Sequence, residues 1–144
     1  MKNNSAVISI GIPIFNGESF IERTIKSLRN QTFENFEVIL YDDCSKDKSL
    51  GILLDLIEDD SRFKVILGKM NIGNVPKIMK EIIFPYSNGE YFMYMSQDDF
   101  LDKNALECAI ENLSRTNSEI TIFDFVYYQT FTESKKNKWL LQSI

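Results

Sequence analysis

Phe36-Glu37-Val38-Ile39-Leu40-Tyr41-Asp42-Asp43-Cys44-Ser45-Lys46-Asp47 is an apolar run of strand length that stops on a doubled aspartate. Five of its first six residues are apolar or aromatic, as in a strand buried on both faces. Upstream, Val7 to Phe15 is a second run of this kind, rich in isoleucine, and it ends in a turn at Asn16-Gly17. Between the two, Ile21, Ile25 and Leu28 recur at helical spacing, with Glu22, Arg23, Lys26 and Arg29 on the opposite side. Downstream, Leu50, Leu53, Leu54 and Ile57 form a second helical stripe, which Asp47 is expected to cap.

The pattern continues along the chain. Phe63 to Leu67 reads as a third strand and Asn71-Ile72-Gly73-Asn74 as a turn. Val75, Ile78, Met79, Ile82 and Ile83 form a third helical stripe that Pro85 is expected to end. Tyr91 to Met95 is a fourth strand, followed by Ser96-Gln97-Asp98-Asp99. Asp102 is placed to cap a helix carrying Leu106, Ala109, Ile110 and Leu113, and Glu119 to Tyr128 reads as a fifth strand. Strands recur roughly every 28 residues, which predicts an α/β fold: a Rossmann-like, mainly parallel sheet with helices on both faces. Residues 1–131 are expected to form this domain. Residues 132–144, with polar Glu133 to Lys138 and then Trp139-Leu140-Leu141, read as a tail, a loop or the start of a further part.

Composition narrows the chemistry. The chain has 144 residues, a formal net charge of −5 and no histidine. The acidic balance argues against nucleic acid as a partner. A His-based triad, a His-ligated metal and a His pH switch are excluded. Cys44 and Cys108 are too few for a disulfide framework or a thiolate zinc site, and a thiolate at Cys44 is disfavoured among acids. Apolar stretches fall far short of the roughly 20 residues of a membrane span. The polar N-terminus and the lack of a good cleavage site predict a cytoplasmic protein.

Ligands of open α/β sheets bind beyond the carboxyl ends of the strands. Those ends carry Phe15-Asn16, Asp42-Asp43 and Gln97-Asp98-Asp99. Two aspartate doublets at one sheet edge repel unless a cation intervenes, and their oxygens suit Mg²⁺ or Mn²⁺. Taken one at a time, Asp47 and Asp102 read as helix caps. Gly73 reads as a left-handed turn residue, and Tyr41, Tyr91 and Tyr94 as sheet-face residues. Neither G-x-G-x-x-G nor G-x-x-x-x-G-K-[ST] occurs, so a dinucleotide site and a P-loop are excluded.

The sequence resembles family 2 glycosyltransferases, the inverting nucleotide-sugar transferases with the GT-A fold. The resemblance is carried by Val7 to Asn16 and by Ser27 to Asp47, which follows S-x-x-x-Q-T-x-x-x-x-E-x-I-x-x-D-D-x-S-x-D. Asn71-Ile72-Gly73, Gly89-Glu90-Tyr91 and Gln97-Asp98-Asp99 extend it in order, from about residue 6 to about residue 113. It implies that Pro13 and Phe15 line a base pocket and that Asp43, or Asp42 with it, accepts a hydrogen bond from the base. It further implies that Asp98 meets the ribose and that Asp99 binds the Mn²⁺ or Mg²⁺ bridging a diphosphate. Where the family often has A-R-N after N-x-G, this chain has Asn74-Val75-Pro76-Lys77, leaving Lys77 to supply the positive charge. Gln97 replaces the first acid of the D-x-D-type motif.

The family's domain usually continues for another hundred residues or so with the acceptor site and the general base. No clear base candidate is present here beyond Asp124 and Glu133. The expectation is therefore the nucleotide-binding portion of a transferase that moves a sugar, from a UDP-sugar in the first instance, to an unknown sugar or lipid-linked acceptor. A peripheral site at the inner membrane face and homo-oligomer formation through uncovered apolar surface belong to the same expectation. The alternative is a donor-binding module without turnover of its own.

Overall fold

The computed structural model describes residues 6–119 and residue 121. The elements, in order, are β1 (Ile8–Ile14), α1 (Ile21–Arg29), β2 (Phe36–Asp42), α2 (Ser49–Ile57), β3 (Phe63–Leu67), α3 (Val75–Ile78), β4 (Tyr91–Tyr94) and α4 (Ala105–Thr116). A π turn at Met79–Ile83 and a 3₁₀ turn at Phe84–Tyr86 continue α3. The expected fifth strand falls outside the described residues except for Glu119 and Thr121, and so do Asp124, Glu133 and the tail. Residues through Cys108 form one compact unit, and a second begins at Ala109.

The sheet is parallel throughout, in the order β3-β2-β1-β4. The steps from β1 to β2 to β3 run one way and the step to β4 runs back. Right-handed crossovers then place α1 and α2 on one face and α3 with its π turn on the other. Every residue of β1 and β2 is buried, which is why both read as unbroken apolar runs. On one face lie Ile8, Ile10, Ile12 and Ile14. Helix α1 adds Ile21, Ile25 and Leu28, all fully buried, each contributing about 1.5–3 kcal/mol on leaving water. On the other face Ile39 and Tyr41 pack with Ile78 and Ile83.

Pro13 interrupts no ladder bond to β4. The β1–β4 pairing runs only from Ile8 to Gly11, and Met95 N–H closes it on the Gly11 carbonyl at 3.1 Å. Gly11 is needed for close packing: a Cβ there would lie within 3 Å of Ile83, Met79 and Phe92 side chains.

The third helical stripe is corrected in form. Residues 75–83 are not one α-helix: the chain widens into the π turn after Ile78, and Met79 and Ile83 pack against Gly11. Pro85 does not end it. It sits inside the 3₁₀ turn, where the ring needs no donor, and helical backbone is left at Ser87, whose φ and ψ are extended. Asp47 is also corrected. Lys48 is the N-cap of α2, and the Asp47 carboxylate, one residue earlier, accepts from both Ser49 N–H and Glu18 N–H. Ahead of α4, Asp102 acts through its backbone carbonyl, which accepts from Ala105 N–H and from Gln31 Nε2.

At the opposite end of the sheet from the doublets, Glu37 anchors the entry to β4. Its carboxylate accepts from Ser9 Oγ at 2.7 Å, Asn88 N–H at 2.6 Å and Lys64 Nζ at 2.7 Å, and Ser9 Oγ in turn accepts from Gly89 N–H. Burial alone would raise the Glu37 pKa. The Lys64, Ser9 and Asn88 bonds outweigh it and leave the carboxyl below its ordinary range. No helix among the described residues is long and apolar enough to cross a membrane.

Candidate nucleotide site

The carboxyl edge of the sheet is built from loops that hold one another. After β1, Asn16 takes positive φ, at 50°, and its side chain accepts from Lys46 N–H at 2.8 Å while its own N–H donates to Ser45 Oγ at 3.0 Å. Gly17 N–H donates to Ser49 Oγ at 2.7 Å. Glu18 N–H donates to Asp47, and the Glu18 carboxylate accepts from Lys48 N–H. The serine and final aspartate of the D-D-x-S-x-D stretch therefore clasp the loop after β1, and both loops are fixed without a ligand. Cys44, with φ of 61°, turns its thiol onto the Gly68 carbonyl at 3.0 Å.

The first doublet is buried. Asp43 Oδ1 accepts from Ile72 N–H at 2.7 Å and Oδ2 from Gly73 N–H at 2.8 Å, while Asn71 Nδ2 donates to the Asp43 carbonyl. Both oxygens thus hold the Asn71-Ile72-Gly73 turn, in which Gly73 has φ of 62° as a left-handed turn requires. Asp42 differs. Its Oδ2 accepts weakly from Ser45 N–H at 3.2 Å, while Oδ1 is buried with no hydrogen-bond partner among the described residues. Such an orphan acceptor costs free energy until a donor reaches it. Below the doublet, burial first and then the Asp43, Cys44 and Asp42 charges raise the Tyr41 pKa. Tyr41 is a neutral residue of the core on that sheet face.

The second doublet is exposed. Ser96 N–H donates to Asp99 Oδ2 at 3.3 Å and Ser96 Oγ to Asp98 Oδ1 at 2.5 Å. Helix α1 grips the backbone of this loop. Arg23 Nη2 donates to the Asp98 carbonyl at 2.9 Å, with its guanidinium 4.5 Å from the Phe100 ring centre. The Thr24 hydroxyl lies 2.6 Å from the Gln97 carbonyl oxygen and 2.8 Å from that of Asp99, so its one proton is shared between them.

Of the other expected site residues, Pro13 is buried in β1 opposite Tyr41. Phe15 leaves the sheet 43% exposed, a large ring open to solvent at the edge. Lys77 is exposed in the first turn of α3, its N–H capped by the Asn74 side chain, directly after the turn that Asp43 holds. Reading the sequence missed the pairing of Gln97 with the Phe15 backbone, at 3.0 and 3.1 Å, and the roles of Arg23 and Thr24. Gln97 stood out only as a departure from an acidic motif, and nothing local marks its partner 82 positions away.

The exposed carboxylates of Asp98 and Asp99 are the oxygen donors that a hard divalent ion takes. Among the described residues no group of three or more His, Cys, Asp or Glu could hold a metal by itself.

Comparison with known proteins agrees with this layout. TarS from Staphylococcus aureus, solved with UDP, superposes with a TM-score of 0.71 at 28% identity, over 78% of this chain and 33% of that one. An uncharacterized glycosyltransferase of Haemophilus influenzae is 36% identical over 104 residues, 72% of this chain and 41% of its own length. GalNAc(5)-diNAcBac-PP-undecaprenol beta-1,3-glucosyltransferase of Campylobacter jejuni is 32% identical over 104 residues, 72% of this chain and 33% of its own length. The chain thus spans well under half of each of these proteins. The family model for glycosyl transferase family 2 matches residues 9–143, and the chain belongs to that family.

Proposed function

We propose that this chain forms the donor-nucleotide site of an inverting glycosyltransferase that uses a UDP-sugar with Mn²⁺ or Mg²⁺. The observation that carries the reading is the buried, unpartnered Asp42 Oδ1 at the same sheet edge as an exposed aromatic ring, Phe15, and two exposed carboxylates, Asp98 and Asp99. A uracil presents one ring N–H, and an acceptor fixed at this edge can receive it. Asp42 has an oxygen without a partner for that role, and Asp43, whose oxygens each hold one backbone N–H, keeps further lone pairs. Phe15 offers a face for the base and Pro13 a rigid floor. The UDP held by TarS, 28% identical over most of this chain, supports the choice of nucleotide.

Asp98 would meet the ribose, and Asp99 would hold the metal. The ion, when bound, supplies charge that offsets what develops on the departing diphosphate. Lys77 adds a point charge beside the 71–73 turn, without the fork geometry of an arginine. Inverting transfer is a single displacement in which the acceptor hydroxyl loses its proton to a base facing away from the leaving group. The acceptor, a sugar or a lipid-linked sugar, is met by parts of the protein beyond this edge.

Calorimetric titration of the chain with UDP, GDP and dTDP, with Mn²⁺ and with EDTA, tests the reading. Metal-dependent binding that favours UDP is expected. Equal affinity for all three nucleotides, or no binding of any, overturns it.

A further inference from the structure

Gln97 stands where the resembling family's motif begins with an acid, yet its carboxamide does not face the exposed carboxylates as a ligand would. It closes a two-point pair on the backbone of Phe15. Gln97 Oε1 accepts from Phe15 N–H at 3.0 Å and Nε2 donates to the Phe15 carbonyl at 3.1 Å. Only an amide can do both at once, since a carboxylate offers no donor. The pair bridges the end of β1 to the start of the acidic loop, where the β1–β4 ladder has already stopped at Gly11.

The space around the amide is shaped for it. A Cβ on Gly17 would lie 2.5 Å from Gln97 Oε1 and 2.9 Å from Cδ. On its other side the Gln97 backbone carbonyl faces the Thr24 hydroxyl. Residue 97 is therefore fixed at its main chain by α1 and spends its side chain on Phe15. No β partner holds the Phe15 backbone, because β1 ends at Ile14 and its pairing with β2 ends there too.

From this geometry we propose that Gln97 is a positioning residue that sets the Phe15 ring for the nucleobase and ties the base end of the donor site to the Asp98-Asp99 loop. The proposal rests on the reading of Phe15 as the base-facing ring. Without the amide pair the Phe15 peptide keeps only the bonds of its neighbours Ile14 and Asn16, and the ring must be ordered further when a nucleotide binds.

The test is a double-mutant cycle on UDP affinity with Mn²⁺, using the 144-residue chain. Gln97→Met keeps the length of the side chain and removes both bonds. Gly17→Ala reaches the same pair from the other side by pushing the amide away without changing residue 97. Each is expected to weaken UDP about tenfold in the parent chain, and to add less than about twofold when Phe15 is already alanine. Circular dichroism shows which variants fold, and Gly17→Ala carries the test if Gln97→Met does not. Parent-like affinity in the folded variants overturns the proposal. So does an equal loss with and without the Phe15 ring, which would make Gln97 a brace that acts on the fold alone. Failure of the reading beneath it looks different: the parent chain then ignores UDP, or Phe15→Ala binds it unchanged.

Discussion

Asp42-Asp43 and Asp98-Asp99 are the same dipeptide at the same edge of one sheet, yet the fold treats them in opposite ways. The first closes β2, a strand between two others, and is 5% and 3% exposed. The second follows β4 in a loop open to solvent. Burial obliges the first pair to find donors, and Asp43 finds two backbone N–H groups. Exposure leaves the second pair, among the described residues, with hydrogen bonds from Ser96 and with oxygen lone pairs open to solvent. In the function proposed above, one doublet is mostly scaffold and the other would be mostly ligand. Position in the sheet, not residue type, divides the work.

The largest expected effect breaks this comparison on stability. Asp43→Ala removes two charge-assisted bonds and strands the Ile72 and Gly73 N–H groups, which should cost about 3 kcal/mol in urea unfolding. Asp99→Ala should stay within about 0.5 kcal/mol of the parent, as an exposed side chain with one long bond. Equal costs for the two would erase the distinction.

The second effect reverses the ranking by asking about ligand. At about 100 times its dissociation constant, UDP with Mn²⁺ should stabilise the parent by about 2.7 kcal/mol in a thermal melt. Asp99→Asn should abolish that gain while the unliganded melt stays in place. Full stabilisation by UDP in EDTA would remove the metal from the reading.

Much of this architecture is legible in the amino-acid sequence. The four described strands lie where the apolar runs put them, because strands buried on both faces leave a continuous signal. Asp42, Asp43, Asp98, Asp99 and Phe15 all fall at the expected edge, because a parallel sheet sends every strand's carboxyl end the same way. The segment after Asn74 is legible only as helical. Its π turn packs Met79 and Ile83 against Gly11, a residue some 70 positions earlier that local pattern does not reveal. The division of labour within each doublet is hidden for the same reason. Asp43 meets Ile72 at a separation of 29 and Gln97 meets Phe15 at 82, and sequence pattern carries local period, not such partners.

A third, smaller effect sharpens the contrast inside the buried doublet. Asp42→Asn keeps the size of the side chain but offers its orphan position either a donor or a neutral acceptor. Affinity for UDP should fall about tenfold, or ~1.4 kcal/mol. Stability should hold or rise slightly, since a buried carboxylate oxygen without a partner is itself costly. An affinity for UDP that survives in Asp42→Asn and falls in a folded Asp43→Asn would hand the base contact back to Asp43.

The smallest effect concerns Glu37, a buried carboxylate at the far end of β2, and it extends the comparison to acid. Its pKa is raised by burial but carried below the ordinary range by Lys64, Ser9 and Asn88. A carboxyl with a lowered folded pKa stabilises the fold above its unfolded pKa of about 4.3, and that contribution is lost as pH falls through the folded value. Glu37→Gln can still accept from Ser9 and Asn88 but loses the ion pair with half-exposed Lys64. It should therefore cost about 1 kcal/mol at pH 7 and less at pH 3, flattening the acid limb of the stability curve. The limb will not vanish. Asp60 is held low by its Arg62 hydrogen bonds, and at Asp47 the bonds from Ser49 and Glu18 outweigh the upward push of burial. Urea unfolding of parent and variant across pH 3 to 7 reads the difference. A gap that widens toward acid would mean that Glu37 is held in its protonated form, and the rigidity at this end of the sheet would then need a source other than a buried carboxylate.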